Sequence, residues 1–201
     1  MSSNISAKLV KELREKTGAG MMDCKRALEE SCGDIEKAIN ILREKGAAVL
    51  AKRESKAASE GTVECYIHTG GKIGVLVELN CETDFVAKTD DFKQLAKDLA
   101  MHISWSNPEY LAREGISCDK LECEREIHRQ WAVNQSKPEA ALPKIIEGRM
   151  EKYFSTVVLL DQPFIKNEDV TIGELIREKA GKLGEKIEIR RFVRFRVGEE
   201  A

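Results

Sequence analysis

Apolar residues in the first 46 positions recur at helical spacing. Ile5, Leu9 and Leu13 form one stripe, and Lys16-Thr17-Gly18-Ala19-Gly20 ends it with two glycines free to take positive φ. Met21, Cys24 and Leu28 give a second short helix its apolar side, and Gly33-Asp34 breaks it. Asp34 is placed to cap a third helix carrying Ile35, Ala38, Ile39 and Leu42, with Gly46 as its stop. The pattern predicts a compact three-helix bundle over 1–46, marginal as a core by itself and so a docking module. Residues 47–60, rich in Ala, Lys, Arg, Glu and Ser without an apolar stripe, read as a solvated helical or flexible linker.

From Gly61 the period becomes two. Val63, Cys65 and Ile67 alternate with polar residues, Thr69-Gly70-Gly71 turns the chain, and Ile73, Val75, Val77 and Leu79 alternate again, which predicts a β-hairpin. Phe92, Leu95, Ala96, Leu99 and Ile103 then follow helical spacing, with Thr89 as cap. Asn107-Pro108 reads as the start of another short helix. Leu121 to Gln135 and Leu142 to Phe154 read as a helical hairpin turned by Ser136-Lys137-Pro138, an insertion over about 121–154. Val157 to Leu160 reads as extended. Thr171-Ile172-Gly173-Glu174 is a capping box for a helix with Ile172, Leu175, Ile176 and Leu183 that ends at Gly184. In the last strand Ile187, Ile189, Val193, Phe195 and Val197 share a parity read as buried, and Arg190, Arg194 and Arg196 lie on the charged face. Arg191 breaks that parity and marks a bulge or an interface. The fold class is therefore α+β: the three-helix bundle, then a three-stranded antiparallel sheet core with helices over 61–201.

Charge and chemistry narrow the function. With 33 basic and 35 acidic residues and a net charge of −2, the chain is not built to grip a nucleic-acid backbone. No apolar run approaches the ~20 residues of a membrane span, and Met1-Ser2-Ser3-Asn4 has no signal or transit character, so a cytosolic location is expected. Six cysteines are scattered without a CxxC pair, the three histidines do not join them in a metal-site pattern, and the thiols read as reduced with no metal. Phosphate-loop, dinucleotide, HExxH and GxSxG patterns are absent, so no enzyme chemistry and no cofactor are expected. The stretch Asn80-Cys81-Glu82-Thr83-Asp84-Phe85-Val86-Ala87-Lys88 lies where the strand period stops and the helical one has not begun, with an acid beside an aromatic. On spacing alone Phe85 reads as a core plug or an exposed wedge, Asp84 as a turn or cap residue, and His68 as a strand-end surface residue. Met21 and Met22 read as core packing, or, because two adjacent residues cannot share one helix face, as one in the core and one presented to a partner.

Five ordered blocks resemble one family. Leu9 to Lys25, Asn80 to Ala87, Glu147-Gly148-Arg149-Met150, Gln162-Pro163-Phe164 and Gly184 to Arg191 together look like translation elongation factor Ts, in its short single-core bacterial form. The resemblance implies a UBA-like N-terminal bundle and a guanine-nucleotide exchange factor for the GTPase elongation factor Tu, which releases GDP without doing chemistry itself. It implies that Thr83, Asp84, Phe85 and Val86 press on the GTPase and lead to displacement of its Mg²⁺, with Phe85 as the wedge. His68, in Tyr66-Ile67-His68-Thr69-Gly70, is implied to be a second contact. Leu183-Gly184 stands where the family has Ile-Gly, another contact, and the bundle docks through its Gly18, Met21 and Met22 region. Short members pair as homodimers, so dimerisation through the core sheet is implied, with the wedge of one protomer and His68 of the other acting on one GTPase. The alternatives from other classes are a helical adaptor working through 1–46, an RNA binder using Arg190, Arg194 and Arg196, and a thiol enzyme.

Overall fold

The computed structural model describes residues 5–51, 53, 55–136 and 138–199. The readings of Met1 to Asn4, of Lys52 and Glu54 in the linker and of Lys137 in the hairpin turn lie outside them. The elements run α1 (Ala7–Thr17), α2 (Met21–Glu30), α3 (Ile35–Ala51), β1 (Glu60–Ile67), β2 (Ile73–Cys81), α4 (Asp84–Ala87) and α5 (Asp90–Ser106). They continue with α6 (Cys118–Asn134), α7 (Leu142–Val157), β3 (Pro163–Phe164), β4 (Asn167–Thr171), α8 (Ile172–Leu183) and β5 (Ile187–Arg196). The α+β class expected from the sequence is what the chain adopts.

The chain divides into two compact units. One holds the chain up to Gly61 with Asn80–Lys93 and Ile176–Glu188, and the other holds Thr62–Leu79, Gln94–Leu175 and the chain from Ile189. In the first unit α1 begins at Ser6, whose hydroxyl accepts the Leu9 N–H at 3.2 Å. It ends at Gly18, which sits at φ +67° and donates its N–H to Arg14 O at 2.7 Å. Asp34 caps α3 as expected, accepting the Lys37 N–H at 3.1 Å. Val10, Leu13, Cys24, Ala27, Leu28 and Ala38 form the core of this bundle, with Leu9, Ile35, Ile39 and Leu42 packed on it.

Two expectations fail here. The third helix does not stop at Gly46 but continues to Ala51. A Cβ at Gly46 would stand 3.8 Å from the Gly181 Cα of α8, so this glycine marks a helix crossing rather than a helix end. Met21 is not on the apolar side of α2, because it and Met22 are both exposed.

Most of β1, β2 and β5 lies in the second unit, and the three strands form one sheet in the order β1-β2-β5. The His68 N–H donates to Ile73 O at 2.9 Å and the Val197 N–H donates to Lys72 O at 2.9 Å. The end of β1 and the end of β5 thus both meet the start of β2, which makes the sheet antiparallel. Val75, Val77 and Leu79 are buried, as their alternation predicts. On β5, Ile189 is buried, but Val193, Phe195 and Val197 are exposed while the Arg194 side chain is nearly buried. Arg190 and Arg191 are both exposed, and across this pair the buried parity moves by one residue. The parity break at Arg191 is therefore real, and the assignment of the last three apolar residues to the core is corrected by it.

Elsewhere in this unit the expected helix after Asn107-Pro108 does not form. Asn107 takes φ +49° at the end of α5, and the Glu109 and Tyr110 N–H groups turn to Val157 O at 2.9 and 3.0 Å. The helical hairpin is present as α6 and α7, with Arg149 stacked on Trp131 at 3.3 Å. Val158 makes a single bridge to Tyr110, but Leu159–Asp161 is a 3₁₀ turn rather than an extended run. The short pair β3 and β4 carries no period-two signal and was not expected. Thr171 and Glu174 close the capping box, with Glu174 accepting the Thr171 N–H at 2.9 Å and Thr171 accepting the Glu174 N–H at 3.2 Å.

Candidate functional site

The turn after β2 is where the candidate residues gather. β2 ends at Cys81, and Thr83 starts the single turn of α4 as its cap, its Oγ1 accepting the Val86 N–H at 3.4 Å. None of the four residues of α4 is buried. Phe85, at 79% exposure, faces solvent, which removes the core-plug reading. Val86 is half-buried. Asp84 is already paired, its Oδ2 accepting from Lys88 Nζ at 2.6 Å, and this pair holds the Asp84 carboxyl below the usual carboxylate range. Thr89 ends the turn by donating its hydroxyl to Val86 O at 2.7 Å and accepting the Phe92 N–H at 3.3 Å as the cap of α5.

Two carboxylates fasten this turn, and each accepts the backbone N–H that follows the other. Glu185 Oε2 accepts the Thr83 N–H at 3.1 Å, and its Oε1 accepts the Thr83 hydroxyl at 2.7 Å. Glu82 Oε1 accepts the Lys186 N–H at 2.8 Å, and its Oε2 faces Arg53 Nη1 at 2.7 Å and Lys56 Nζ at 3.1 Å. The Lys186 N–H and then the two cations pull the Glu82 carboxyl down to about 2. Cys81 adds a third tie by donating its thiol to Thr83 O at 3.1 Å. Burial, with Glu185 nearby, pushes that thiol up to about 11, so it stays protonated as the donor role requires.

The other expected contacts in this unit cluster on the same parts of the chain. Leu183 and Gly184 end α8, with Gly184 at φ +72° donating its N–H to Ala180 O at 2.8 Å, a left-handed stop that directs the next residue, Glu185, out of the helix. Gly18 is exposed at the α1–α2 turn, and a Cβ there would fall on the Lys182 Cε. Lys182 Nζ also reaches Asp91 Oδ2 at 2.9 Å, which lowers the Asp91 carboxyl. Met21 and Met22 project into solvent from the start of α2. Sequence reasoning missed Glu185, Arg53 and Lys56 as parts of the site. Glu185 is 102 positions from Thr83, and no periodicity links such a pair.

His68 belongs to the second unit. It stands just past the end of β1, exposed, with Tyr66 Oη 3.3 Å from its Nδ1. The sheet here presents an apolar face to solvent. Ile67 Cδ1 lies 3.2 Å from the position of a Cβ on Gly74, and Arg191 Nε donates to Glu78 Oε2 at 2.6 Å. Those two contacts put the odd residues of β1, the even residues of β2 and the odd residues of β5 beyond Arg191 on one side. Val63, Cys65, Ile67, Leu76, Val193 and Phe195 are all exposed there.

Among the described residues no three His, Cys, Asp or Glu side chains could hold a metal ion, and no helix is long and apolar enough to cross a membrane. The Cys81 thiol beside this turn is raised rather than lowered, which is the opposite of what a thiol nucleophile needs.

Comparison with known proteins bears on the whole chain. The family model described as elongation factor TS matches residues 3–199. Elongation factor Ts of Carboxydothermus hydrogenoformans is 60% identical over 195 residues, 97% of this chain and 90% of the relative. That of Moorella thermoacetica is 60% identical over 195 residues, 97% of this chain and 96% of the relative. That of Syntrophus aciditrophicus is 58% identical over 196 residues, 98% of each. With a match of this extent, the chain belongs to the elongation factor Ts family.

Proposed function

We propose that this chain is the guanine-nucleotide exchange factor for elongation factor Tu in the cytoplasm, and that it acts by pressing Phe85 between elements of the GTPase. The observation that supports it best is the Phe85 ring, exposed on a turn that three side chains tie down. A factor that binds the GDP-depleted conformer more tightly weakens GDP binding by the same ratio. Mg²⁺ neutralises diphosphate charge in the GTPase, so shifting its ligands raises the cost of keeping the nucleotide. In this reading Thr83 and Val86 shape the turn, and Asp84 exchanges Lys88 for a group of the GTPase. Leu183, Gly184, Gly18, Met21 and Met22 supply the flanking contacts. No bond is made or broken in the exchange by the factor, which makes it a non-enzyme.

The exposed sheet face supports a homodimer. Six apolar side chains on one side of a three-stranded sheet form the kind of contiguous patch that marks an interface, and a second copy offers the same patch in return. His68 at the rim of this sheet then belongs to a partner's GTPase. Phe195→Asp should turn a dimer into a monomer by light scattering at micromolar concentration; a wild-type monomer under those conditions would remove the dimer from the proposal.

The test of function is release of a fluorescent GDP analogue from elongation factor Tu with the factor at substoichiometric amounts. Turnover by the factor supports exchange. Tight binding to elongation factor Tu or another partner through 1–46 without any acceleration would favour the adaptor reading instead, for which the exposed Met21 and Met22 are the supporting feature.

A further inference from the structure

The turn that displays Phe85 is too short to hold itself. A single helical turn fixes several dihedrals for one or two hydrogen bonds and is unfavourable alone. Burial supplies only part of the difference, since Val86 is half-buried and no residue of α4 is fully buried. Its cap is also incomplete in the local sequence. In a capping box the third helical residue is Glu or Gln and accepts the N–H of the cap residue. Here that third residue is Val86, which has no acceptor to offer.

We infer that Glu185 is the positioning residue of the exchange turn: it completes the cap of α4 from the end of α8 and holds Phe85 at the angle that exchange needs. Its carboxylate takes both the N–H and the hydroxyl of Thr83, at 3.1 and 2.7 Å, while the same hydroxyl oxygen still accepts the Val86 N–H. Thr83 Oγ1 thus has its proton directed to Glu185 and its lone pair to the helix. Gly184, at φ +72°, is the bend that sends Glu185 toward Thr83. The Leu183-Gly184 pair and the 83–86 turn are in consequence one mechanical piece, joined on the Thr83 side by the Glu185 carboxylate. Glu82 returns the bond to the Lys186 N–H at 2.8 Å, so neither segment can swing away without breaking contacts from both carboxylates.

This assignment rests on the exchange reading for its kinetic arm and on geometry alone for its other arm. The experiment compares wild type, Glu185→Ala, Glu185→Gln and Phe85→Ala, with the maximal rate of GDP-analogue release and the half-saturating concentration of elongation factor Tu·GDP read separately. Glu185→Ala should lower the maximal rate about tenfold, as losing a charge-assisted pair of hydrogen bonds implies, with a smaller change in half-saturation. Glu185→Gln keeps an acceptor for the Thr83 N–H and should stay within about threefold of wild type. In the free protein, amide hydrogen exchange at Val86 and Ala87 should quicken in Glu185→Ala while the amides of α1 and α2 keep their protection. If Phe85→Ala is slow and Glu185→Ala turns over at the wild-type rate, the positioning role is overturned and the exchange reading stands. If wild type gives no acceleration, the exchange reading falls, and unchanged Val86 and Ala87 protection in Glu185→Ala would overturn the positioning role as well. Should Glu185→Ala not fold, Glu185→Asp keeps the charge, withdraws the oxygens by one methylene and carries the same two readouts.

Discussion

Replacing Phe85 by Ala separates folding from function by magnitudes that the structure fixes in advance. The ring is 79% exposed, so little of it is buried in the free chain, and its loss should move the unfolding free energy by no more than about 0.5 kcal/mol. Against a partner the account is different. A phenylalanine covers about 150–250 Å² when enclosed, which leaves about 120–200 Å² to be covered on binding. At about 25 cal/mol per Å² this amounts to about 3–5 kcal/mol, a ceiling of two to three and a half powers of ten in exchange efficiency. Part of that ceiling is spent on ordering, so a loss of at least tenfold is the outcome to look for. Two assays are run on the same preparations: urea unfolding for stability and GDP-analogue release for exchange. An unchanged urea midpoint with exchange down by tenfold or more fits the exposed wedge. Wild-type exchange from Phe85→Ala would refute the reasoning, and so would a stability loss above about 1 kcal/mol, because the ring would then be holding the fold.

Two further outcomes concern stability. Gly18→Ala should cost about 1–2 kcal/mol for a side chain at φ +67°, plus a smaller loss as Lys182 is pushed from Asp91, and a thermal melt reads both. His102 is buried with Nδ1 accepting the Ile165 N–H at 3.3 Å, so Nε2 carries the proton toward Gln162 Oε1 at 3.0 Å and burial lowers its pKa from the ordinary 6.5. An unfolded chain binds a proton there that the folded chain refuses; this component of stability is complete above pH 6.5 and is lost as pH falls below it. Urea midpoints at pH 7.5 and 5.5 should show the drop, and His102→Gln should lessen it.

The helices were legible from their apolar stripes, and several from a capping residue as well. Asp34, Thr89 and Thr171 all start the elements their side chains allow. The period-two runs located all three strands of the main sheet. What alternation could not say is which face is covered, since Val193, Phe195 and Val197 look like core in a single chain and are exposed. An apolar face open to solvent has the same pattern as an apolar face against a helix. Gly46 misled because a glycine that ends a helix and a glycine that lets two helices cross are one letter. At the candidate site, Thr83 to Val86 stood out by position, but their support did not. The Glu185 contact spans 102 residues, and its geometry depends on the left-handed bend at Gly184.

The stretch between α3 and β1 has a consequence for how partners meet this protein. Arg53 and Lys56 both reach Glu82, and Ala58 O accepts the Asn80 side-chain N–H at 3.1 Å, so a segment with linker composition is pinned at three places to the end of β2. Met21 and Met22 and the Phe85 turn all lie in this unit, and they are not beads on a slack string. In the language of avidity, the first contact fixes the rotational freedom of the second before it forms, and the effective concentration of one epitope near the other is set by geometry rather than by chain length. Cutting the Arg53 and Lys56 ties would leave the α3–α8 crossing at Gly46 and Gly181 as the remaining hold on the module, and the gain from a two-site contact would shrink as that hold loosened.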